Sequence, residues 1–252
     1  MGSSLAKPKR TYLTVAAHII ALYLPFAGLL GRQRYQRLLR ELAQGVPGAR
    51  EQFYCDGVAR KSALVVVVIV WLSLSKEQYP FQLEGVTLAT TALWCAYVGA
   101  LVAASVWFFR RHGDAQLRLL QRLAGGLLPQ SRAEIQWFKV VAVLAGVGEE
   151  IVFRWFLMSY FAAYWGTSRD EALYASSIVF GLVHLYQGAL GVLFTGLMGW
   201  VLGSLWIQTG TLLVPIVLHT ALDLRILLIA TPERMAALNA SLSTAKPRSG
   251  RP

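Results

Sequence analysis

An apolar run of 28 residues, Phe138 to Trp165, carries two adjacent carboxylates and an arginine near its middle: Glu149, Glu150 and Arg154. Two later apolar runs repeat the anomaly, with His184 inside Leu173–Tyr186 and His219 with Asp223 inside Leu212–Ile229. A charged side chain at mid-bilayer costs about 2.5–3.5 kcal/mol on the insertion scale. Glu149, Glu150, Arg154 and Asp223 standing alone in lipid would therefore cost about 10–14 kcal/mol together. They must face one another, or water.

Composition places these runs in a membrane. Over 252 residues, 56% are hydrophobic and 15% charged, with a mean hydropathy of +0.49, which excludes an ordinary soluble domain. The pattern predicts an all-α polytopic membrane helical bundle of about seven transmembrane helices, with one or two interfacial amphipathic helices. The net charge of +11 comes from 24 Lys and Arg against 13 Asp and Glu. Most of the positives lie between apolar runs or at the ends, which suits anionic headgroups and the positive-inside rule rather than nucleic acid. Cys55 lies in a basic loop and Cys95 in an apolar span, and such different depths argue against a disulfide. Short loops and the preference for Arg over Lys point to a bacterial inner (cytoplasmic) membrane.

The run Tyr12–Leu30, broken by Pro25 and Gly28, reads as a first transmembrane helix rather than a cleaved leader, since no A-x-A site follows and more spans do. Ala6 stands where myristoylation wants Ser or Thr. Residues 32–61, rich in Arg and containing Gly45, Pro47 and Gly48, are expected to form a juxtamembrane amphipathic helix and loop. Spans follow at Ser62–Ser75 and Val86–Phe109, then a second basic loop, Arg110 to Arg132. There the spacing of Leu119, Leu120, Leu123 and Leu127 suggests another interfacial helix. Four spans complete the chain: Phe138–Trp165, Leu173–Tyr186, Leu190–Ile207 and Leu212–Ile229. The organisation expected is an N-terminal membrane region 1–135 with about three spans, a core 136–230, and a basic disordered tail 231–252. With both Arg-rich loops cytoplasmic, the turns Lys76–Glu84 and Thr167–Asp170 lie outside. The N-terminus then also lies outside, against its three positives. No internal repeat of the Glu-Glu segment is visible, which disfavours a transporter.

On one helix Glu150 and Arg154 are four residues apart and can form a structural ion pair. Glu149 points about 100° away and no second basic residue on that span can neutralise it, which makes it the candidate general base. Gly146 and Gly148 just before it allow another backbone or a substrate strand to come close. His184 follows Phe180 by one turn, and Asp223 follows His219 by one turn. One base, two imidazoles and a second carboxylate can activate water and stabilise an oxyanion, with or without a divalent metal. Plainer roles also exist. Asp223 could pair with Arg225, His18 reads as a packing or interface residue, and Trp155, Trp165, Trp200 and Trp206 read as core and interface anchors.

These motifs resemble the CPBP intramembrane proteases, which include the type II CAAX prenyl endopeptidases and bacteriocin-processing enzymes. The family patterns Glu-Glu-x-x-x-Arg, Phe-x-x-x-His and His-x-x-x-Asn or Asp occur in order as Glu149–Arg154, Phe180–His184 and His219–Asp223. The stretch Thr209 to Ile216 is similar to the family's loop before its last catalytic helix. The resemblance covers roughly Phe138 to Leu228. It implies an intramembrane peptidase in which Glu149 and His184 activate water while His219 and Asp223 bind the oxyanion or complete a metal site. Glu150 and Arg154 would be architectural. It leaves open a divalent metal such as zinc, held by Glu149, His184, His219 and Asp223, against a metal-independent glutamate mechanism. The CAAX enzymes carry Asn where this chain has Asp223, and an ionised Asp donates no hydrogen bond.

The zinc motif H-E-x-x-H and the rhomboid Gly-x-Ser-Gly are absent, and Gly146–Glu149 has Glu where presenilin-like proteases have Asp. The expected substrate is a membrane-anchored or lipidated protein, cut at a C-terminal processing or sorting signal. The alternative is a non-catalytic membrane factor, for immunity, scaffolding or cation binding, that keeps the polar cluster for itself.

Overall fold

A computed structural model describes residues 7–75, 87–231, 233–234 and 237. The turn expected at Lys76–Glu84 and nearly all of the expected tail lie outside the described residues. Every element among the described residues is helical, as expected of a chain that must satisfy its backbone hydrogen bonds without water.

Helix α1 runs from Lys7 to Ala43 over 37 residues with Pro25 inside it, and α2 runs from Ala49 to Leu74. This corrects the expected juxtamembrane helix and loop over 32–61. Residues 32–43 simply prolong α1, because no Gly or Pro interrupts them, and the chain reverses only where Gly45 and Gly48 take φ of 68° and 71°. Arg60 and Lys61 are consequently part of a helix long and apolar enough to cross a membrane, where long aliphatic stems let charged heads reach polar ground.

Helix α3 spans Leu88–His112 and α4 spans Asp114–Ala124. The latter is amphipathic as expected, with Leu117 and Leu120 gathered against Leu128, Ile226 and Ala230. The two basic loops meet. Arg50 Nε donates to the Gly126 carbonyl at 2.9 Å, the Gly126 amide donates to the Tyr35 hydroxyl at 3.2 Å, and the Tyr54 hydroxyl donates to the Leu127 carbonyl at 2.5 Å. Both basic stretches therefore lie at one end of the bundle.

Helix α5, Arg132–Glu150, starts at a capping box between Ser131 and Glu134. It passes through a π-wound segment, Ile151–Leu157, into α6, Met158–Trp165. A second capping box, Ser168 with Glu171, starts α7 at Arg169, which ends at Val183. A 3₁₀ turn, Leu185–Gln187, leads to α8, Gly188–Thr209. Then come α9, Leu213–Leu224, and the short α10, Ile226–Ile229.

Among the described residues four helical stretches are long and apolar enough to span a bilayer: Tyr12–Ala43, Ala49–Leu74, Leu88–Arg111 and Leu185–Thr209. The three runs that carry the ionisable residues are built differently. The α5–α6 rod is long but charged, while α7 and α9 have only 15 and 12 residues, about 22 and 18 Å at ~1.5 Å per residue. The core that joins them to α1 and α2 mixes aliphatic and aromatic side chains: Leu24, Val68, Trp71, Phe153, Phe156, Tyr160 and Phe180 are all buried together. His18 belongs to this packing, with its ring edge-on to Tyr160 and Tyr164.

Candidate active site

Helix α5 sits between α2 and α9, and its last residues alternate between the two neighbours. A side chain at Gly146 would strike Thr220 of α9, whereas one at Gly148 would meet Val65 of α2. These glycines are about 200° apart on the helix wheel. Glu150, one turn after Gly146, therefore faces α9, and Glu149, next to Gly148, faces α2. Helices α2 and α5 run parallel in fixed register, because Arg50 forks onto both oxygens of Glu134 at 2.9 and 3.0 Å and Tyr54 meets Phe138 edge-on. We expect Gly146→Leu to force α5 and α9 apart and to lower activity by at least about tenfold, in keeping with the sensitivity of catalysis to ~1 Å misplacement. Turnover of the purified variant against its yield of folded protein checks this.

Glu150 is fully buried and holds two partners. Its Oε2 lies 3.0 Å from Arg154 Nε, so the structural ion pair expected four residues apart is present. Its Oε1 accepts from His219 Nδ1 at 2.8 Å, and this carboxylate thereby also fixes the imidazole so that Nε2 faces the other acids. That Nε2 lies 3.8 Å from Glu149 Oε2 and 3.9 Å from Asp223 Oδ2. Arg154 extends the lattice by donating from Nη2 to the Gly199 carbonyl at 3.0 Å and by lying 4.6 Å over the Phe180 ring.

Lys61 is the residue that sequence reasoning did not place here. Its Nζ donates to Glu149 Oε1 at 2.5 Å, so the neutralising charge arrives from α2 rather than from the glutamate's own helix. Its signal in the sequence was weak, a lysine at the threshold of the apolar run 62–75 that is indistinguishable there from a loop cation. His184 caps the end of α7 and its Nδ1 lies 2.7 Å from the Phe180 carbonyl. A carbonyl only accepts, so Nδ1 carries the proton and Nε2 is left for other work. The structure thus brings Glu149, Glu150, Arg154, His219 and Asp223 into one chain of contacts, and His184 reaches Glu149 through a shared cavity. Asp223 does not form the ion pair with Arg225 that the sequence allowed. Arg225 Nη1 donates instead to Ser105 Oγ at 2.9 Å, and its guanidinium covers Phe109.

The cavity holds about 290 Å³ and lies between α1, α2, α5 and the turn after α7. Leu24, Leu64, Phe138, Val152 and Phe153 line it, Lys61, Glu149 and His184 stand in its wall, and Arg34 and Arg60 border it. A metal ion fits poorly. Among the described residues no group of three or more His, Cys, Asp or Glu is placed to hold one. Lys61 already takes Glu149 Oε1 and Glu150 already takes His219 Nδ1. The residues expected as ligands, Glu149, His184, His219 and Asp223, therefore do not form a ligand set as placed.

Fold and site together define a helical integral membrane protein with an acid–base cluster buried between its helices. A segment of the chain, residues 131–225, matches the family model described as type II CAAX prenyl endopeptidase Rce1-like. It contains Glu149, Glu150, Arg154, His184, His219 and Asp223, and it excludes Lys61. No curated protein and no solved structure matches the chain.

Proposed function

We propose that this protein is an intramembrane endopeptidase that hydrolyses a peptide bond by water activation at Glu149, in a membrane-anchored or lipidated protein near its C-terminus. The observation that carries this reading is the placement of Glu149 and His184 in the wall of one apolar cavity, where an extended hydrophobic segment can lie against both. Glu149 Oε2 is buried 3.8 Å from His219 Nε2 without a hydrogen-bond partner among the described residues, and in this reading it takes the proton of the attacking water. His184, with Nδ1 tied to a carbonyl, offers Nε2 to the same water. His219 is held by Glu150 and aligned with Asp223, and the family's Asn-type oxyanion role does not pass to Asp223 while it is ionised. The basic end of the bundle, where both loops meet, faces the cytoplasm in this reading, and a bacterial inner membrane is the proposed location.

The non-catalytic reading draws on one observation: the Lys61–Glu149 and Arg154–Glu150 pairs largely neutralise the cluster from within. The test is a comparison of membrane proteomes from cells with the natural protein and with a Glu149 variant. Precursors that keep a hydrophobic C-terminal tail in the variant alone support the peptidase, and identical proteomes reject it. His184→Ala is expected to reduce cleavage by about 10²–10⁴, the usual worth of a proton-transfer partner. Cleavage by the purified, folded variant at near-natural rates would remove His184 from the mechanism.

A further inference from the structure

Hydrolysis of an amide needs, besides a base, a donor aimed at the oxygen that becomes negative in the tetrahedral intermediate. The family resemblance gives that post to His219 and Asp223, and neither of them lines the cavity. His219 is committed to Glu150 through Nδ1, and its Nε2 faces Glu149 and Asp223. Neither His219 nor Asp223 is part of the cavity wall that Glu149 and His184 share. Arg154 is fully buried on Glu150 and Gly199. Three cations do line the cavity, Arg34, Arg60 and Lys61, and of these Lys61 is the one bonded to Glu149.

An ammonium has three donors. Lys61 spends one on Glu149 and makes no other hydrogen bond among the described residues. Its side chain is 29% exposed against 12% for Glu149, so the unused donors face open space beside the base. The position is held rigidly: Val65, one turn on, seats against Gly148, and Arg50 with Glu134 locks the same pair of helices further down.

Resting on the peptidase reading, we infer that Lys61 is the oxyanion-binding residue of this site. One N–H keeps Glu149 in place, and a second donates to the substrate carbonyl oxygen. As the oxygen of water bonds to the carbonyl carbon, the C=O π pair moves onto that oxygen beside Lys61, and the water's proton passes to Glu149. Collapse reforms C=O, breaks the C–N bond, and delivers the proton from Glu149 to the leaving nitrogen. Lys61 stays protonated throughout. The N-terminal helices, outside the segment that matches the family, thereby supply part of the chemistry.

The test separates binding from turnover. Full-length protein in lipid nanodiscs is titrated with S-hexadecyl-cysteinyl peptides, each paired with a copy in which one C-terminal peptide bond in turn is replaced by a phosphonate, a tetrahedral anion. The background is Glu149→Gln, which blocks hydrolysis and keeps Lys61. We expect one phosphonate to bind at least tenfold tighter than its amide partner. In Glu149→Gln/Lys61→Met that preference should fall below about threefold, while Glu149→Gln/Lys61→Arg should keep most of it. The double variant removes both charges of the pair, so no lone charge is left buried to unfold it. A preference that survives Lys61→Met overturns the role of Lys61 and leaves the peptidase reading standing. No phosphonate preference in the Glu149→Gln parent overturns both.

Discussion

Glu149→Gln is expected to slow substrate cleavage by about 10²–10⁴ while the protein remains inserted and folded. The expectation separates chemistry from architecture because Gln has nearly the same shape and still offers Lys61 a carbonyl oxygen to bond. What it lacks is the basicity to take a proton from water. The measurement is the ratio of processed to precursor substrate in membranes that contain equal amounts of each protein, together with the size-exclusion profile of the purified variant. Natural processing by Glu149→Gln would end the assignment of Glu149 as the base.

Glu150→Ala should fail earlier, at folding. This carboxylate compensates Arg154 at 3.0 Å and holds His219 at 2.8 Å, and its removal leaves a fully buried guanidinium without its counter-charge. Breaking a buried pair in this way costs about 3–5 kcal/mol, a large part of the ~5–15 kcal/mol that keeps a domain folded. Thermal unfolding in detergent should show loss of most folded protein. Adding Arg154→Met removes the stranded charge and should recover folded material, but not cleavage, because the His219 ring has still lost the acceptor on Nδ1. A Glu150→Ala variant that folds normally yet does not cleave would move Glu150 from support to direct chemistry.

The parts of this site that were readable from sequence are those governed by spacing on one helix. Glu150 with Arg154 and His219 with Asp223 are each four residues apart, and a helix brings such pairs to one face whatever surrounds them. The approach of neighbours at Gly146 and Gly148 was readable for a similar reason, since a missing side chain inside an apolar run leaves room for another helix. The errors arose where the governing contact lies far along the chain. The expected loop at 32–61 rested on its charge, but a helix continues through charged residues unless a turn is encoded, and only Gly45 and Gly48 encode one. Lys61 was assigned to that loop, and so the partner of Glu149, 88 residues away, stayed hidden. Arg225 is two residues from Asp223, yet it turns to Ser105 and Phe109 on α3, which spacing along one helix does not reveal.

Hydropathy and periodicity by themselves determined that this chain folds as a helical membrane bundle and singled out Glu149, Glu150, Arg154, His184, His219 and Asp223 as ionisable residues inside apolar runs, where charge needs a partner or water. Tertiary structure alone decided which partners those groups meet. Whether a buried carboxylate stands free, holds an imidazole or accepts from a lysine depends on which neighbouring helix its face meets, and that is settled by packing between helices distant in sequence. The α2–α5 register, set by Arg50 with Glu134 and by Val65 on Gly148, puts Lys61 on Glu149. The close crossing of α5 and α9 at Gly146 and Thr220 puts His219 on Glu150.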